Sequence, residues 1–329
     1  MTDTDSPAEA AAPAAASVPA PAPAPAPHLP TGYRSRPATA ADARAVHHLV
    51  AACERDLLGR AETGPEAVAA ELVRPGPDLA ADTLLVHGPA GELAARARVT
   101  GGRRSTVDVH PGHRGRGLGA ALLDWAETRA RRSGSERLSR TVPDSDGAAA
   151  TLLRSRGYVP FVTEWQLEIT LPTEPPVPAP PEGIEVRPFR PGDERAAYEL
   201  TEDAFAGWQK RRKPYEEWAQ LAVDRPTFVL SASWVAYAGD RMAGAVLALD
   251  APASGEGYID RVAVRADHRN RGIARVLLQE SFRAFYRRGQ RTCTLWTHSG
   301  TGALSLYERV GMTVRHSSTT YGKILTAAG

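Results

Sequence analysis

Two short segments of this chain carry residues suited to holding an anion. Arg114-Gly115-Arg116-Gly117-Leu118-Gly119 and Arg269-Asn270-Arg271-Gly272-Ile273-Ala274 each follow alternating apolar residues (Val107/Val109; Ile259 through Val262/Val264) and each precede a helical pattern. A glycine turn from a strand into a helix presents unpaired backbone N–H groups at the positive end of the helix dipole. Glycine lets the backbone approach an anion without a Cβ in the way. The arginines at 114, 116, 269 and 271 add bidentate phosphate donors. Such a loop suits a pyrophosphate. It is not the dinucleotide fingerprint, because the G-x-G-x-x-G spacing is absent and the loop does not follow the first strand. A kinase-type G-x-x-x-x-G-K-S/T is also absent from a chain with three lysines against 37 arginines.

Three further residues have types suited to proton transfer. Asp260 lies in the second strand pattern, on the face of Val262 and Val264 by the two-residue period. A carboxylate there can take a proton from an amine directly or through water, or it can pair with Arg261 or Arg265. The first segment has Ser105 at the matching position. His298 ends the next strand pattern and is either a second candidate base or a hydrogen-bonded structural histidine. Tyr307 shares a helical face with Ala303, Leu306 and Val310, a spacing that fits a core residue as well as a reactive one.

The elements that must position these residues occur twice. Arg36-Pro37 through Asp42, Arg44 and Ala45 matches Arg187-Pro188 through Asp193, Arg195 and Ala196, and the two loop segments match over a longer stretch. Each copy opens with a short strand (Tyr33–Arg36; Ile184–Arg187), then an amphipathic helix with Asp42 or Asp193 in capping position. A hairpin signal follows at Leu84–Leu93 and Trp234–Met242. Next come the strand, the arginine–glycine loop and a helix that ends at Ser133-Gly134 or Arg288-Gly289. A last helix ends at Gly157-Tyr158 or Gly311-Met312. This interleaving gives an α+β fold used twice, at about residues 31–170 and 182–325. Residues 1–30 read as a disordered Ala/Pro tail. Residues 171–181 read as a Pro-rich linker of semi-rigid, extended kind.

Both loops resemble the Q/R-x-x-G-x-G/A signature of the GNAT superfamily of N-acetyltransferases, and the Val-x-Val-His-Pro-Gly-His-Arg flank and Gly-Met/Gly-Tyr endings are similar to that family too. The chain is thus identified as a tandem member, similar to two-domain acetyltransferases of the mycothiol synthase kind. The resemblance implies two GNAT domains, each a mixed central sheet flanked by helices, with acetyl-CoA or another acyl-CoA as co-substrate. It implies pyrophosphate binding by Arg114, Gly115, Arg116, Gly117, Leu118 and Gly119, and by Arg269, Asn270, Arg271, Gly272, Ile273 and Ala274. The backbone N–H at Val264, and by the repeat at Val109, becomes the oxyanion donor. Ala303-Leu-Ser-Leu306-Tyr307-Glu-Arg-Val310-Gly311-Met312 matches the family's last-helix motif and makes Tyr307 the general acid; the first copy has Leu153 there. Where the family often has Asn before this helix, the copies have Asp146 and Gly300. The second domain is therefore expected to be catalytic, with Asp260 and His298 as candidate bases. The first is expected to bind CoA without that acid.

Charge and composition narrow the partners. A net charge of +2 provides no cationic field for nucleic acid or membrane, and no apolar run approaches a membrane span. The opening Met1-Thr-Asp-Thr-Asp has no signal-peptide pattern. Cys53 and Cys293 form neither a disulfide framework nor a zinc site, so a reduced, cytoplasmic setting and no metal are expected. The acceptor is expected to be the amine of a small molecule, shaped by Phe205 through Trp218 with its basic run Lys210–Lys213. Tandem duplication makes a monomer plausible, since two copies in one chain mimic a dimer. An antibiotic-modifying role stands equally with the mycothiol synthase kind, and a non-catalytic acyl-CoA sensor and a protein N-acetyltransferase are the alternative readings.

Overall fold

The computed structural model describes residues 24–74, 78–207, 209, 211–251 and 254–325. Most of the Ala/Pro tail, and Trp208 and Lys210 of the expected acceptor segment, lie outside these. By packing, the chain divides into two units: one runs to Leu138 and regains the chain at Ile324, and the other is Ser139–Lys323.

In the first unit, β1 (Arg34–Arg36), β2 (Thr83–His87), β3 (Leu93–Thr100) and β4 (Arg104–Val109) pair antiparallel in that order. Helices α1 (Ala43–Leu58), α2 (Pro65–Val73) and α3 (Leu79–Asp82) lie between β1 and β2 in sequence, and α4 (Leu118–Arg132) follows β4. Val46 and Val50 of α1 pack with Val68 and Leu72 of α2 and Leu85 of β2, the helical spacing expected of an apolar stripe.

The second unit begins with most of β5 (Arg137–Pro143), then α5 (Gly147–Ser155) and β6 (Val159–Thr170). It continues through β7 (Glu185–Pro188), α6 (Glu194–Phe205), α7 (Tyr215–Ala222), β8 (Trp234–Ala238), β9 (Arg241–Ala251) and β10 (Glu256–Val264). It closes with α8 (Ile273–Arg287), β11 (Thr292–His298), α9 (Leu304–Arg309) and β12 (Thr313–Ile324). The strand order is β5-β12-β6-β11-β10-β9-β8-β7. One face of this sheet packs Ile259, Leu295 and Leu167 against Ile273, Leu277 and Phe285 of α8 and against Tyr307. The other face, at β8–β10, packs Val235, Ala245 and Ala263 against α6 and α7 through Ala197, Leu200 and Trp218. Gly257 lies so close under α8 that a Cβ would come within 2.6 Å of the Phe285 ring.

Three features differ from the sequence expectations. β6, the last strand of the first repeat, lies between β11 and β12 of the second, from Thr170↔Thr292 to Glu164↔His298 on one side and from Glu168↔Thr313 to Val159↔Gly322 on the other. β12 in turn neighbours β5, and Thr141 and Thr320 hydroxyls meet at 2.7 Å. Strand partners of this separation leave no local mark in sequence.

Asp42 and Asp193 do not cap α1 and α6 through their side chains. Each instead accepts a backbone N–H three residues upstream, from Thr39 and Arg190, and both guanidinium nitrogens of Arg36 or Arg187. Burial alone would raise the Asp193 pKa, but Arg187, the Arg190 N–H and the Tyr237 hydroxyl hold it below the usual carboxylate value. The Pro-rich linker is fastened as well as extended: Glu174 pairs with Arg287 at 2.6 Å, and Arg283 donates to the Pro175 carbonyl.

Candidate active site

The two arginine–glycine loops have the same backbone. Gly115 and Asn270 take left-handed conformations (φ 73° and 61°), as do Gly117 and Gly272 (φ 82° and 87°) just before α4 and α8. Asn tolerates this region better than most residues, which explains how it replaces Gly115. Neither helix has a side-chain cap at its N-terminus, so the N–H groups of Leu118 and Gly119, and of Ile273 and Ala274, remain free for an anion. At Gly115, Gly117 and Gly272 a Cβ would point into open space.

The arginines do two jobs. Arg114 and Arg269 turn Nε back to the carbonyls of Val109 and Val264, at 3.4 and 3.2 Å, tying each loop to its strand end. Arg114 also pairs with Asp56 at 2.5 Å, Arg116 donates to the Tyr33 hydroxyl, and Arg271 donates to the Glu182 carbonyl. A cavity of about 480 Å³ lies beside the end of β10, lined by Glu199, Asp203, Asp240, Val264, Arg265 and Arg269 among others.

The strand before the second loop opens away from its neighbour. β10 and β11 pair in parallel only at Gly257↔Cys293, Tyr258↔Thr294 and Ile259↔Leu295, although β10 runs on to Val264 and β11 to His298. The Arg265 N–H donates to the Ala243 carbonyl. By the alternation of an antiparallel ladder, the Val264 N–H and C=O then turn to the other side, into the opening. The Arg269 contact at the Val264 carbonyl agrees with this. His110 N–H donates to Ala94 in the same way, so Val109 has the equivalent orientation.

A β-bulge at Asp260 corrects one expectation. The β9–β10 register shifts between Ile259 and Arg261. Ile259 and Val262 therefore both pack on the α8 side, three residues apart, while Ala263 packs toward α6. The two-residue period that would align Asp260 with Val262 and Val264 is broken there. Asp260 Oδ2 lies 3.1 Å from Arg261 Nε, an ion pair without hydrogen-bond alignment. Burial raises the Asp260 pKa above the usual carboxylate value, against the opposing pull of Arg261 and Arg225. In the first repeat β3 and β4 pair without a shift from Ala95↔Val109 to Thr100↔Arg104, and Ser105 is buried there.

Tyr307 is 7% exposed on α9, and burial, with a smaller effect of Tyr258, pushes its pKa up to about 12. Tyr258 is likewise raised to about 12, first by burial and then by Asp260. Leu153, at the matching place in α5, is fully buried. His298 ends β11 opposite Glu164 of β6, partly buried. Asp146 serves as the N-cap of α5, accepting from the Ala149 N–H at 2.9 Å. Beyond Gly300, the Thr301 hydroxyl takes the Ala303 N–H.

The expected acceptor segment has a different use in its described part. Trp218 is fully buried in the α6–α7 core, and Tyr215 lies edge-on to Tyr198 with the Arg195 guanidinium 4.1 Å above its ring. Arg211, Arg212 and Lys213 pair with Glu217, Asp203 and Glu202. Aromatics at helical spacing beside charges fit a packed helix with a paired surface as well as a binding strip, and here packing prevails. The first repeat has a polar network on its corresponding face: Arg96 pairs with Asp108 at 2.6 Å, and Glu71 with Arg98. The second repeat has Ala245, Ala263 and Leu247 at the equivalent register positions.

Comparison with known proteins agrees with this geometry. The acetyltransferase (GNAT) family model matches residues 32–158 and again 194–312. A mycothiol acetyltransferase of Catenulispora acidiphila is 29% identical over 306 residues, covering 87% of this chain and 96% of that protein. One from Geodermatophilus obscurus is 31% identical, covering 76% and 88%. The crystal structure of a GNAT protein from Sphaerobacter thermophilus superposes with a TM-score of 0.73 at 34% identity, over 91% of this chain and 97% of that one. A tandem GNAT protein of the clavulanic acid pathway, at 16% identity and a TM-score of 0.64, covers 90% of this chain and shares the fold. No helix among the described residues is long and apolar enough to cross a membrane. With both loops, the opened strand and two matches to one family model, the chain belongs to the GNAT acetyltransferases and is a tandem N-acetyltransferase that uses acetyl-CoA as co-substrate.

Proposed function

We propose that transfer takes place in the second repeat, onto the amine of a small molecule, while the first repeat holds acyl-CoA without carrying out the chemistry. The observation that carries this is the asymmetry along one strand and one helix. β10 has a bulge with a buried carboxylate and is followed by Tyr307, where the first repeat has an unbroken ladder, Ser105 and Leu153. The names of the relatives point to the free-amine form of mycothiol as the acceptor to try first. The two unpaired, buried cysteines suit a reducing cytoplasm.

In this reading the loop of Arg269–Ala274 binds the pyrophosphate and the open edge of β10 takes the pantetheine arm. Asp260 accepts a proton from the acceptor ammonium. The neutral amine attacks the thioester carbonyl and forms the C–N bond, the Val264 N–H stabilises the oxyanion, the nitrogen gives up its second proton to water, and collapse breaks C–S. Tyr307 gives its proton to the departing thiolate. The phenol stays protonated at neutral pH, and the same burial that weakens it as an acid also raises the basicity of the thiolate beside it.

The test is CoA-thiol release from acetyl-CoA with the free-amine form of mycothiol. Tyr307→Phe is expected to lower kcat by about 10²-fold or more, the range of a lost general acid, with acetyl-CoA affinity unchanged. Release no faster than hydrolysis, and equal in Tyr307→Phe, would remove this reading.

A further inference from the structure

The exchanged strand β6 brings first-repeat side chains to the mouth of the second repeat's site. In antiparallel pairs, directly opposed residues share a face. Leu167↔Leu295 points into the α8 core, so Gln166↔Trp296 and Glu164↔His298 point to the opposite face. Tyr258, paired with Thr294, lies on that face too. So do Glu168 and Glu256, which are joined there through Arg315. Trp296 follows directly on Leu295, the last residue of β11 paired with β10, and so stands first past the opening. It is 48% exposed, a large apolar ring on a polar surface. Glu164, one register pair further along the same face, is exposed and makes no ion pair among the described residues.

We infer that this face is where the acceptor binds, its ammonium held over the Trp296 ring and beside the Glu164 carboxylate before Asp260 takes its proton. An exposed indole attracts a cation through its π face, and an unpaired carboxylate next to it has the complementary charge. Glu164 comes from the first repeat, so one copy supplies a specificity determinant to the site of the other. Gln166, directly opposite Trp296, has a buried Oε1 with no hydrogen-bond partner among the described residues and can accept from the same ligand. This inference rests on the second repeat being the one that transfers.

Binding without turnover tests it. The full-length protein is saturated with CoA lacking an acetyl group and titrated calorimetrically with the free-amine form of mycothiol and with mycothiol itself, which lacks that ammonium. Wild type is expected to favour the amine. Trp296→Ala is expected to weaken amine binding about tenfold, within the cation–π range, and Trp296→Phe to recover part of it. Glu164→Gln is expected to abolish the preference for amine over product while CoA affinity stays the same. Equal binding of the two ligands, no binding of either, or indifference to both substitutions would overturn the inference. Amine binding that depends on Trp296 and Glu164, with no CoA release in the kinetic assay, would retain this binding face and reject transfer. Turnover with an acceptor KM unmoved by either substitution would do the reverse.

Discussion

As the proposed base, Asp260 would join a stability effect to a catalytic one. Burial raises its carboxyl above the ordinary value near 3.9. A group raised in this way stabilises the fold fully only below its unfolded pKa, and that stabilisation is lost as pH rises through the folded value. At neutral pH the ionised carboxylate is therefore a cost. Asp260→Asn is expected to raise Tm at pH 7, with the gain shrinking as the pH is taken below the ordinary carboxylate range. The same substitution is expected to lower kcat/KM by roughly 10²-fold and to remove the acid limb of the wild-type pH–rate profile. A variant with lower Tm and an unchanged acid limb would exclude Asp260 as the base. The helical placement of Tyr307, and of Leu153 at the matching place in the first repeat, was legible in the sequence. The direction of the Asp260 side chain was not legible, because a one-residue bulge inverts strand alternation without altering composition.

At the scale of elements, the strand–loop–helix unit was the most readable part of the chain. Positive-φ positions demand glycine or asparagine, so Gly115, Gly117, Asn270 and Gly272 record the backbone directly. The Arg-Pro…Asp match was legible as a repeat but not as the bidentate pair it forms, since the spacing fits a helix cap equally well. Gly257 has a packing reason: it lets Phe285 rest on β10. Gly257→Ala is expected to destabilise the protein by about 1–3 kcal/mol through overpacking, read as a lower denaturant midpoint at unchanged slope. Ala at this position without loss would mean that α8 yields more than its buried Ile273, Leu277 and Phe285 suggest. The exchange of β6 and β12 had no sequence signal, because both strands satisfy the same pattern whichever copy they join.

For the whole molecule, the duplication and the α+β class followed from sequence, and both repeats carry the same family loop. The two repeats share the loop geometry, while Asp260, its bulge and Tyr307 belong to the second repeat alone. The measurement that separates the repeats is CoA-thiol release by two loop variants assayed side by side. A glutamate at either left-handed glycine strains the turn and sets a negative charge beside the phosphate site. Gly272→Glu is expected to abolish turnover at any accessible acetyl-CoA concentration. With transfer confined to the second repeat, as proposed, Gly117→Glu is expected to keep kcat within about threefold of wild type. Turnover that survives Gly272→Glu and is lost in Gly117→Glu would place the chemistry in the first repeat and overturn the assignment.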